Sequence, residues 1–578
     1  MDLHTALDTS ADPSAKWGSP VVFGNPQRPL VGRLHPAVGP ARGAVVLFNP
    51  LGYEENCAFR TFQLLAGELA ARGFDTLRFD YDGTGNSWGD GTDPDRLAAW
   101  VDSCGAAIDF QASRTGGPVH VVGLRLGAAL ALLASSRRAL DRVVLWDPVV
   151  NGRRYLRTLR AMSMMGINAA PDPRDPDSLV VIGHYLSAPT VRSLEQLDLA
   201  VQDQTRIGSA LVIGRPHTAD PSRLLAALSA RGIVATAEDL AGTAELMDGA
   251  AEQSVIPRAI VARILEFLTA GPAVPATTTP REALPASASF SAPASPGWTE
   301  QYFALGPRGL AAVLTLPATL RRQGAVVMAN NGVARNIGPA RAWVEWARVW
   351  AALGIASIRF DISGVGDSAP QPAQQEDTVY PVESIDDFAA VTAELRRHGL
   401  EPGVAVGLCS GAFLSLDAAA AAGELAGVVA INPQLFYLPD PPYSANRLRR
   451  AAPPTHPWVQ RFLENTRVGR RLVRELPYPA WRLLDLVGLA PSPIHGANAA
   501  AARTRVLMIF GDDNIGLKYL RRRTTNKALR EWEASGRMVV IDGLDHSMFA
   551  PRIREAVELR TRQFLSEVLT ETAQRPAP

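Results

Sequence analysis

Short apolar runs alternate with amphipathic stretches along both halves of the chain. Runs of this length, rich in valine, leucine and isoleucine, predict strands that are buried on both faces of a mainly parallel sheet. The stretches between them, such as "PARAWVEWARVWAALG" and "SIDDFAAVTAELRRHG", carry apolar residues at helical spacing. This alternation predicts an α/β doubly wound architecture. The predicted strands are GAVVLFN, FDTLRFD, VHVVGL, RVVLWDP, SALVIG and IVATAE in the first half, and GAVVMAN, IASIRFD, VAVGLC, GVVAIN, RVLMIF and MVVIDG in the second.

The two series of strands repeat each other at a constant spacing. "GAVVLFNP" at Gly43 returns as "GAVVMANN" at Gly324. "RGFDTLRFDYDGTGNS" at Arg72 returns as "LGIASIRFDISGVGDS" at Leu353, again 281 residues later. Constant spacing over such a length indicates that the chain is a duplication of one domain.

A segment of different composition separates the two repeats. Residues 269–297 are rich in Pro, Ala, Ser and Thr and nearly free of large apolar side chains, which is typical of an extended or disordered linker. We therefore predict a first domain over 1–268, a linker over 269–297 and a second domain over 298–578. An insertion at about 438–502 interrupts the second series, and we expect it to form a helical cap over a pocket.

Composition narrows the classes of function. Lys+Arg 58 against Asp+Glu 57 in 578 residues leaves a formal net charge of +1, so we expect neither a nucleic-acid nor a membrane partner. The three cysteines form no disulfide framework and no metal pair, and we expect no metal and no cofactor. Reduced thiols, the lack of a signal-peptide pattern and the absence of an apolar run near the ~20 residues of a membrane span favour a cytoplasmic location.

The stretch "VAVGLCSGAFLSLDAA" has the outline of a nucleophile-bearing turn. A strand runs into G-x-C-x-G and an alanine-rich helix follows. Gly407 and Gly411 permit a sharp, strained turn that exposes Cys409 above the sheet. A plain strand–helix turn with a buried cysteine is the alternative interpretation. Ser410 lies one position late in this frame, so we reject it as the nucleophile.

Two later strand ends supply the remaining members of a catalytic triad in chain order. "RVLMIFGDDN" ends in two acids, of which Asp513 is the favoured member and Asp512 the alternative. Both acids can also be solvated loop carboxylates. "RMVVIDGLDHSMF" places His546 in the loop after the next strand. In a triad, His546 would take the proton of Cys409, and the carboxylate would orient the imidazole.

These motifs resemble the α/β-hydrolase fold, in which a strand ending in D-x-x-G-x-G-x-S precedes the strand–G-x-[SC]-x-G–helix turn. "GLRLGAALALLAS" and "NPLGYEEN" in the first half are similar to serine-aminopeptidase-like and exosortase-associated hydrolases. The resemblance implies two tandem α/β-hydrolase domains. It also implies an oxyanion hole formed by the backbone N–H of Ser410 and one near Gly332 or Val333.

The first repeat lacks all three members of the triad. Arg125 occupies the nucleophile position, the acid position falls on Arg215 or on the proline after it, and no histidine follows the last strand. His217 lies on a different loop, where we expect it to be exposed. The first domain is therefore predicted to be a pseudo-enzyme. Arg125 either binds a carboxylate or phosphate ligand or forms an ion pair with Asp80 or Asp82, and the ion pair is favoured.

The sequence thus predicts an acyl-transfer enzyme with an acyl-cysteine intermediate, a thioesterase or acyltransferase acting on an ester or thioester. Cysteine favours thioester donors, and aromatic and basic residues of the expected cap suit an acyl group on a carrier-protein arm. Elimination or C–C bond hydrolysis with the same triad, and a non-catalytic scaffold that binds an acyl group or carrier protein, are the alternatives. The first domain is expected to pack on the second. The alanine- and arginine-rich composition is typical of bacteria in which such enzymes serve specialised metabolism.

Overall fold

The chain forms two compact units, Met1–Phe290 and Ser291–Pro578. The computed structural model describes residues 17–165, 174–201, 205–216, 220–270, 287–292, 297–332, 334–371, 374, 376, 384–422, 424–433, 466, 468–469, 480, 483, 500–523, 526–569 and 571–576.

An eight-stranded sheet forms the centre of the first unit. Its strand order is β1-β2-β4-β3-β5-β6-β9-β10, and all pairs are parallel except β1–β2 and β2–β4. The strands of this unit, including the separate β7–β8 hairpin, are β1 Ser19–Asn25, β2 Arg28–His35, β3 Gly43–Phe48, β4 Phe74–Phe79, β5 Val119–Leu124, β6 Leu140–Trp146, β7 Leu179–Val181, β8 His184–Leu186, β9 Ile207–Gly214 and β10 Val234–Asp239.

Helices connect these strands and cover both faces of the sheet. They are α1 Tyr53–Ala71, α2 Arg96–Thr115, α3 Leu126–Ser135, α4 Gly152–Met165, α5 Ala188–Glu195, α6 Asp220–Ala230, α7 Thr243–Met247 and α8 Arg258–Thr269. Strands β3, β4 and β5 are buried along their full length, because an apolar cluster packs on each side of them.

The second unit repeats this sheet with one strand added at its edge. Its order is β11-β12-β13-β16-β15-β17-β18-β19-β20, antiparallel at β12–β13 and β13–β16 and parallel from β16 onward. The strands are β11 Ser287–Ser291, β12 Trp298–Leu305, β13 Leu310–Pro317, β14 Thr319–Arg322, β15 Ala325–Ala329, β16 Ser357–Phe360, β17 Pro402–Leu408, β18 Gly427–Ile431, β19 Arg505–Gly511, β20 Met538–Ile541 and β21 Glu571–Pro576, with β14 and β21 in a separate two-stranded sheet.

The helices of the second unit are α9 Ala342–Ala352, α10 Ser384–Arg397, α11 Ser410–Ala422, α12 Ile515–Arg523, α13 Asn526–Ala534 and α14 Pro551–Val568. Apolar clusters again pack on both faces of the sheet. The predicted fold, two mainly parallel sheets flanked by helices, is confirmed in both halves of the chain.

Two features of the structure were not expected from the sequence, and one expectation falls outside the described residues. The antiparallel strands β1, β2, β12 and β13 were not predicted from the buried runs, and β12 alternates between buried and less buried positions as a half-covered strand does. Strand β11 lies inside the segment predicted as a linker. Most of the expected cap at 438–502 lies outside the described residues, so the cap and the predicted domain boundaries stay predictions.

Candidate functional site

Cys409 lies in a strained turn between strand β17 and helix α11. Its φ is 53°, in the left-handed region that non-glycine residues rarely adopt. A Cβ on Gly407 would lie 2.2 Å from the carbonyl carbon of Gly411, and a Cβ on Gly411 would lie 2.6 Å from the carbonyl oxygen of Asn330. A side chain on either glycine would collide with the backbone, so both positions require glycine. The turn brings the half-buried Cys409 to the carboxyl edge of the sheet.

His546 lies in the loop after β20, and that loop is held by a buried asparagine. Asn432, at the end of β18, donates from Nδ2 to the carbonyl oxygens of Asp545 and His546 at 2.9 and 3.1 Å. Its Oδ1 accepts the N–H of Gly511 at 2.9 Å. Asn432 is fully buried with a φ of 44°, and it ties the end of β19 to the histidine loop. Its importance was missed from the sequence, where it reads only as a polar residue after a strand.

The side chain that contacts the imidazole is Asn514. Its Nδ2 lies 3.1 Å from Nδ1 of His546, while its Oδ1 accepts the N–H of Gly516 at 2.8 Å. With the oxygen committed to Gly516, the amide offers an N–H to the imidazole. The hydrogen-bond network therefore assigns Nδ1 of His546 as an acceptor and places the proton of the neutral ring on Nε2.

Neither predicted acid, Asp513 or Asp512, has a hydrogen bond to His546 among the described residues, so their place in a triad stays a prediction. The side chain of Asp513 is 87% exposed and pairs with Lys518. Asp512 is also exposed and accepts the N–H of Gly543 at 3.0 Å. Asp512 and Asp513 lie in the exposed part of the loop, just before the chain enters the protein interior. Asn514, the next residue, is 6% exposed, and its burial is the property that a polar run "GDDN" does not reveal.

Burial sets the protonation of the histidine. Removal of the ring from water lowers the pKa of His546 below its ordinary value, and the nearby Asp545 carboxylate opposes this shift. The Asp545 carboxylate itself accepts the backbone N–H groups of Ser547 and Phe549, at 2.9 Å each for the shorter contacts, and so closes the histidine loop. The site therefore presents a neutral imidazole next to a neutral amide.

The backbone N–H groups of Ser410 and Gly332, which were predicted as oxyanion donors, differ in their hydrogen bonding. Ser410 begins helix α11, and its backbone N–H has no acceptor among the described residues. The N–H of Gly332 donates to Oγ of Ser410 at 2.7 Å. Val333 lies outside the described residues. Asn330 is buried, and its Oδ1 accepts the N–H of Ile362 at 3.4 Å, which joins this loop to the end of β16.

The first unit keeps the strained turn without the nucleophile. Arg125 has a φ of 55°, and a Cβ on Gly127 would lie 2.2 Å from the carbonyl oxygen of Phe48. Nε of Arg125 donates to Glu54 at 2.9 Å, and NH1 donates to Asp147 at 3.3 Å. The first unit therefore has the same strained backbone turn as the second, with an arginine at the position of the cysteine.

Arg125 belongs to a chain of charges that runs from half-buried side chains to the exposed Asp248, here called the Arg125 ion network. Its members are Glu54, Arg125, Asp147, Arg215 and Asp248. Burial opposes the charge of Arg125, yet the Glu54 and Asp147 carboxylates hold its pKa above the ordinary value. An ion pair was the favoured expectation, but its partners were wrongly identified.

The two acids that were expected to pair with Arg125 are engaged elsewhere. Asp82 binds Arg28 and Arg96 at 2.7 and 2.6 Å, and Asp80 accepts the N–H of Asn86 at 2.8 Å. Glu54 was not considered as a partner from the sequence, and it lies in the first turn of α1, distant from Arg125 along the chain. His217 lies outside the described residues.

Two kinds of site are not found within the described ranges. These residues contain no group of three or more His, Cys, Asp or Glu side chains that could hold a metal ion. Every helix in the same ranges is too short or too polar to cross a bilayer.

The chain is similar to α/β hydrolases in each half. The family model "Serine aminopeptidase, S33" matches residues 39–211, and the model "alpha/beta hydrolase fold" matches residues 332–482. No curated protein sequence matches the chain.

Solved structures similar to the chain include Est1E from Butyrivibrio proteoclasticus with bound ferulic acid, at 16% identity and a TM-score of 0.31, covering 43% of this chain and 97% of that chain. A soluble variant of monoglyceride lipase from Saccharomyces cerevisiae with a substrate analogue matches at 10% identity and a TM-score of 0.33, covering 46% and 97%. The esterase Pf2001 from Pyrococcus furiosus matches at 11% identity and a TM-score of 0.28, covering 47% and 93%. Similarities at this level carry no inference about substrate.

Proposed function

From the α/β-hydrolase fold of each half, we propose that the second half is an acyl-transfer enzyme in which Cys409, His546 and Asn514 form the catalytic triad. The observation that carries this proposal is the contact of Asn514 with Nδ1 of the half-buried His546, in a loop that Asn432 ties to the sheet edge of the strained cysteine. A nucleophile, a base and a group that orients the base are the parts that covalent catalysis requires.

The reaction proceeds in two balanced steps. The Cys409 thiol gives its proton to His546, the sulfur bonds to the carbonyl carbon, the bond from that carbon to the leaving group breaks, and the departing thiolate then takes the proton from the imidazolium. In the second step water, or a hydroxyl or amine acceptor, bonds to the acyl carbon and gives its proton to His546, the bond from that carbon to the Cys409 sulfur breaks, and His546 returns the proton to the sulfur. The amide of Asn514 must turn or release Nδ1 for the ring to change tautomer during this cycle.

The neutral third residue supports thioesters as the substrate class. A triad carboxylate stabilises the imidazolium that protonates a poor leaving group such as an amine. Asn514 offers no such charge, and burial already lowers the pKa of His546. A thiolate leaves without prior protonation, since an ordinary thiol has a pKa near ~8.5. An acyl thioester, free or on the phosphopantetheine arm of a carrier protein, therefore suits this site better than an amide.

Intact-mass measurement tests the proposal. The full chain is incubated with an acyl-pantetheine thioester, with the oxygen ester of the same acyl group and with an acylated carrier protein. We expect an adduct of one acyl group from the thioesters, absent in Cys409→Ala. Cys104→Ala is the matched control and keeps the adduct, because Cys104 is a fully buried thiol in the first unit.

The outcomes separate the proposal from its alternatives. An adduct that decays in water alone identifies a thioesterase, and one that decays only with an added amine or alcohol identifies an acyltransferase. If no thioester or ester forms an adduct and Cys409→Ala behaves as the parent chain does, the covalent mechanism is excluded. Elimination, C–C bond hydrolysis and a binding scaffold would then remain.

A further inference from the structure

The hydroxyl of Ser410 lies against the loop that an oxyanion hole would use. Ser410 is 1% exposed and is the first residue of α11, directly after Cys409. Its Oγ accepts the N–H of Gly332 at 2.7 Å. Gly332 has a φ of 51°, and its own N–H is thereby engaged by a side chain of the protein. Of the two alternatives for the second backbone donor, Gly332 is therefore occupied, and Val333 lies outside the described residues.

The Ser410 hydroxyl can also donate a hydrogen bond. A serine hydroxyl accepts through its lone pairs and donates one O–H. The described residues contain no acceptor for the O–H of Ser410. An O–H whose oxygen accepts a hydrogen bond becomes a stronger donor, since linked hydrogen bonds polarise one another. Ser410 thus has both its backbone N–H and a polarised O–H next to the nucleophile.

The first unit lacks this arrangement although its backbone is the same. Leu126 follows Arg125 at the start of α3 and is 1% exposed. A leucine accepts no hydrogen bond from the loop. Gly127 and Gly411 pack alike against the loop carbonyls after their central strands. The packing of the helix on the loop therefore does not require a hydroxyl, and the hydroxyl occurs in the unit that has Cys409 and His546.

We propose that the Ser410 hydroxyl is a catalytic donor of the oxyanion hole. The inference rests on the proposed acyl-transfer function. The O–H and the N–H of this one residue bind the carbonyl oxygen that becomes negative when the Cys409 sulfur attacks, and the N–H of Gly332 orients the hydroxyl. Ser410 forms no covalent bond and keeps its proton throughout.

Two rates on the same sulfur test the role. Acylation of Cys409 by an acyl-pantetheine thioester develops a negative oxygen, whereas alkylation by iodoacetamide does not. In Ser410→Ala we expect acylation to slow on the order of 100-fold, the cost of removing one oxyanion donor, and alkylation to stay at the parent rate. Ser410→Thr, which retains a hydroxyl, should restore acylation.

An equilibrium measurement gives an independent result. An aldehyde analogue of the acyl group adds to Cys409 as a hemithioacetal, whose oxygen occupies the hole. Its dissociation constant should rise in Ser410→Ala in parallel with the loss of acylation rate, and Ser410→Thr should bind it as the parent chain does.

Three results would overturn the inference. Equal acylation in Ser410→Ala and the parent chain would make the hydroxyl a structural contact only. Faster acylation would mean that the hydroxyl blocks the N–H of Gly332. If acylation and alkylation slowed equally in Ser410→Ala, the Ser410 hydroxyl would act by holding Cys409 in position. Failure of the proposed function is a different result, in which the parent chain itself forms no acyl adduct.

Discussion

At the scale of single residues, the side-chain amide of Asn514 determines which ring nitrogen of His546 accepts a hydrogen bond and which carries the proton. Its oxygen is held by the N–H of Gly516, so an N–H faces the ring. Protonation of the ring at Nδ1 would place two donors against each other. The site therefore favours a neutral imidazole, and this ring accepts the cysteine proton only after the Asn514 amide has released Nδ1 and the tautomer has changed.

Asn514→Asp is expected to raise the pKa of His546 and to move the acid limb of acylation to higher pH. In the parent chain, burial lowers the pKa of His546, so acylation should fall off only below the ordinary imidazole value of about 6.5. A carboxylate beside Nδ1 stabilises the imidazolium, so the base is lost at a higher pH. The measurement is the acylation rate of Cys409 against pH.

The control for this change is Asp513→Asn, which removes the exposed carboxylate paired with Lys518. It should leave the acid limb where it is in the parent chain. A shift in Asp513→Asn with none in Asn514→Asp would restore Asp513 as the residue that acts on His546.

Arg125→Ala is expected to destabilise the protein by about 3 kcal/mol, because it leaves a carboxylate buried without its cation. Glu54 and Asp147 are each 12% exposed, and Asp147 retains only Arg215. Urea unfolding of the full chain measures the loss. The control is Arg223→Ala, which breaks a pair whose arginine is 52% exposed and should cost less than ~1 kcal/mol. Equal costs would show that the Arg125 ion network adds no more than a surface pair.

The two strained turns can be compared directly at the scale of elements. In both units a glycine on the first helical turn packs against a backbone carbonyl. Gly127 packs against the carbonyl of Phe48, and Gly411 against the carbonyl of Asn330. A methyl group at either position forces the helix away from the loop.

Gly127→Ala and Gly411→Ala should therefore both lower the melting temperature, since each added Cβ would meet backbone oxygen at 2.2 or 2.6 Å. Only Gly411→Ala should slow the acylation of Cys409, because only its loop belongs to the proposed site. Thermal unfolding and intact-mass kinetics check the pair. Gly105→Ala, at a helical position with no atom within 4 Å, is the control and should not lower the melting temperature.

The central strands of both sheets were predictable because each is a short apolar run buried on both faces, as in β5 and β17. The antiparallel strands β1 and β12 near the edge of each sheet were not, since only one face is covered and the apolar pattern is diluted. The strained turn at Cys409 was predictable from the glycine spacing, and the position of His546 in the loop after β20 from the chain order. The contact of Asn514 with His546 was not, because it depends on which residue of a polar run turns inward, and that is decided by packing.

The thiols distinguish the two units at the scale of the whole molecule. Cys57 and Cys104 in the first unit are 2% and 0% exposed, and burial raises the pKa of both thiols. Cys409 is half-buried at the edge of the second sheet. Reactivity requires exposure and a thiolate, so the difference is chemical as well as positional.

A chromogenic disulfide reagent should label one thiol in the native chain and three in denaturant. Cys409→Ala should remove the native label and leave two in denaturant. Rapid native labelling of a second thiol would contradict the burial of Cys57 and Cys104.

The Arg125 ion network also determines what a cysteine at that position could do. A cysteine in place of Arg125 would face the carboxylates of Glu54 and Asp147, which disfavour a thiolate, and the loop after β10 offers no histidine to take its proton. Arg125→Cys alone is therefore expected to cost stability and to form no acyl adduct in the first unit. Reactivity at this turn depends on several neighbouring residues together, so a single substitution does not supply it.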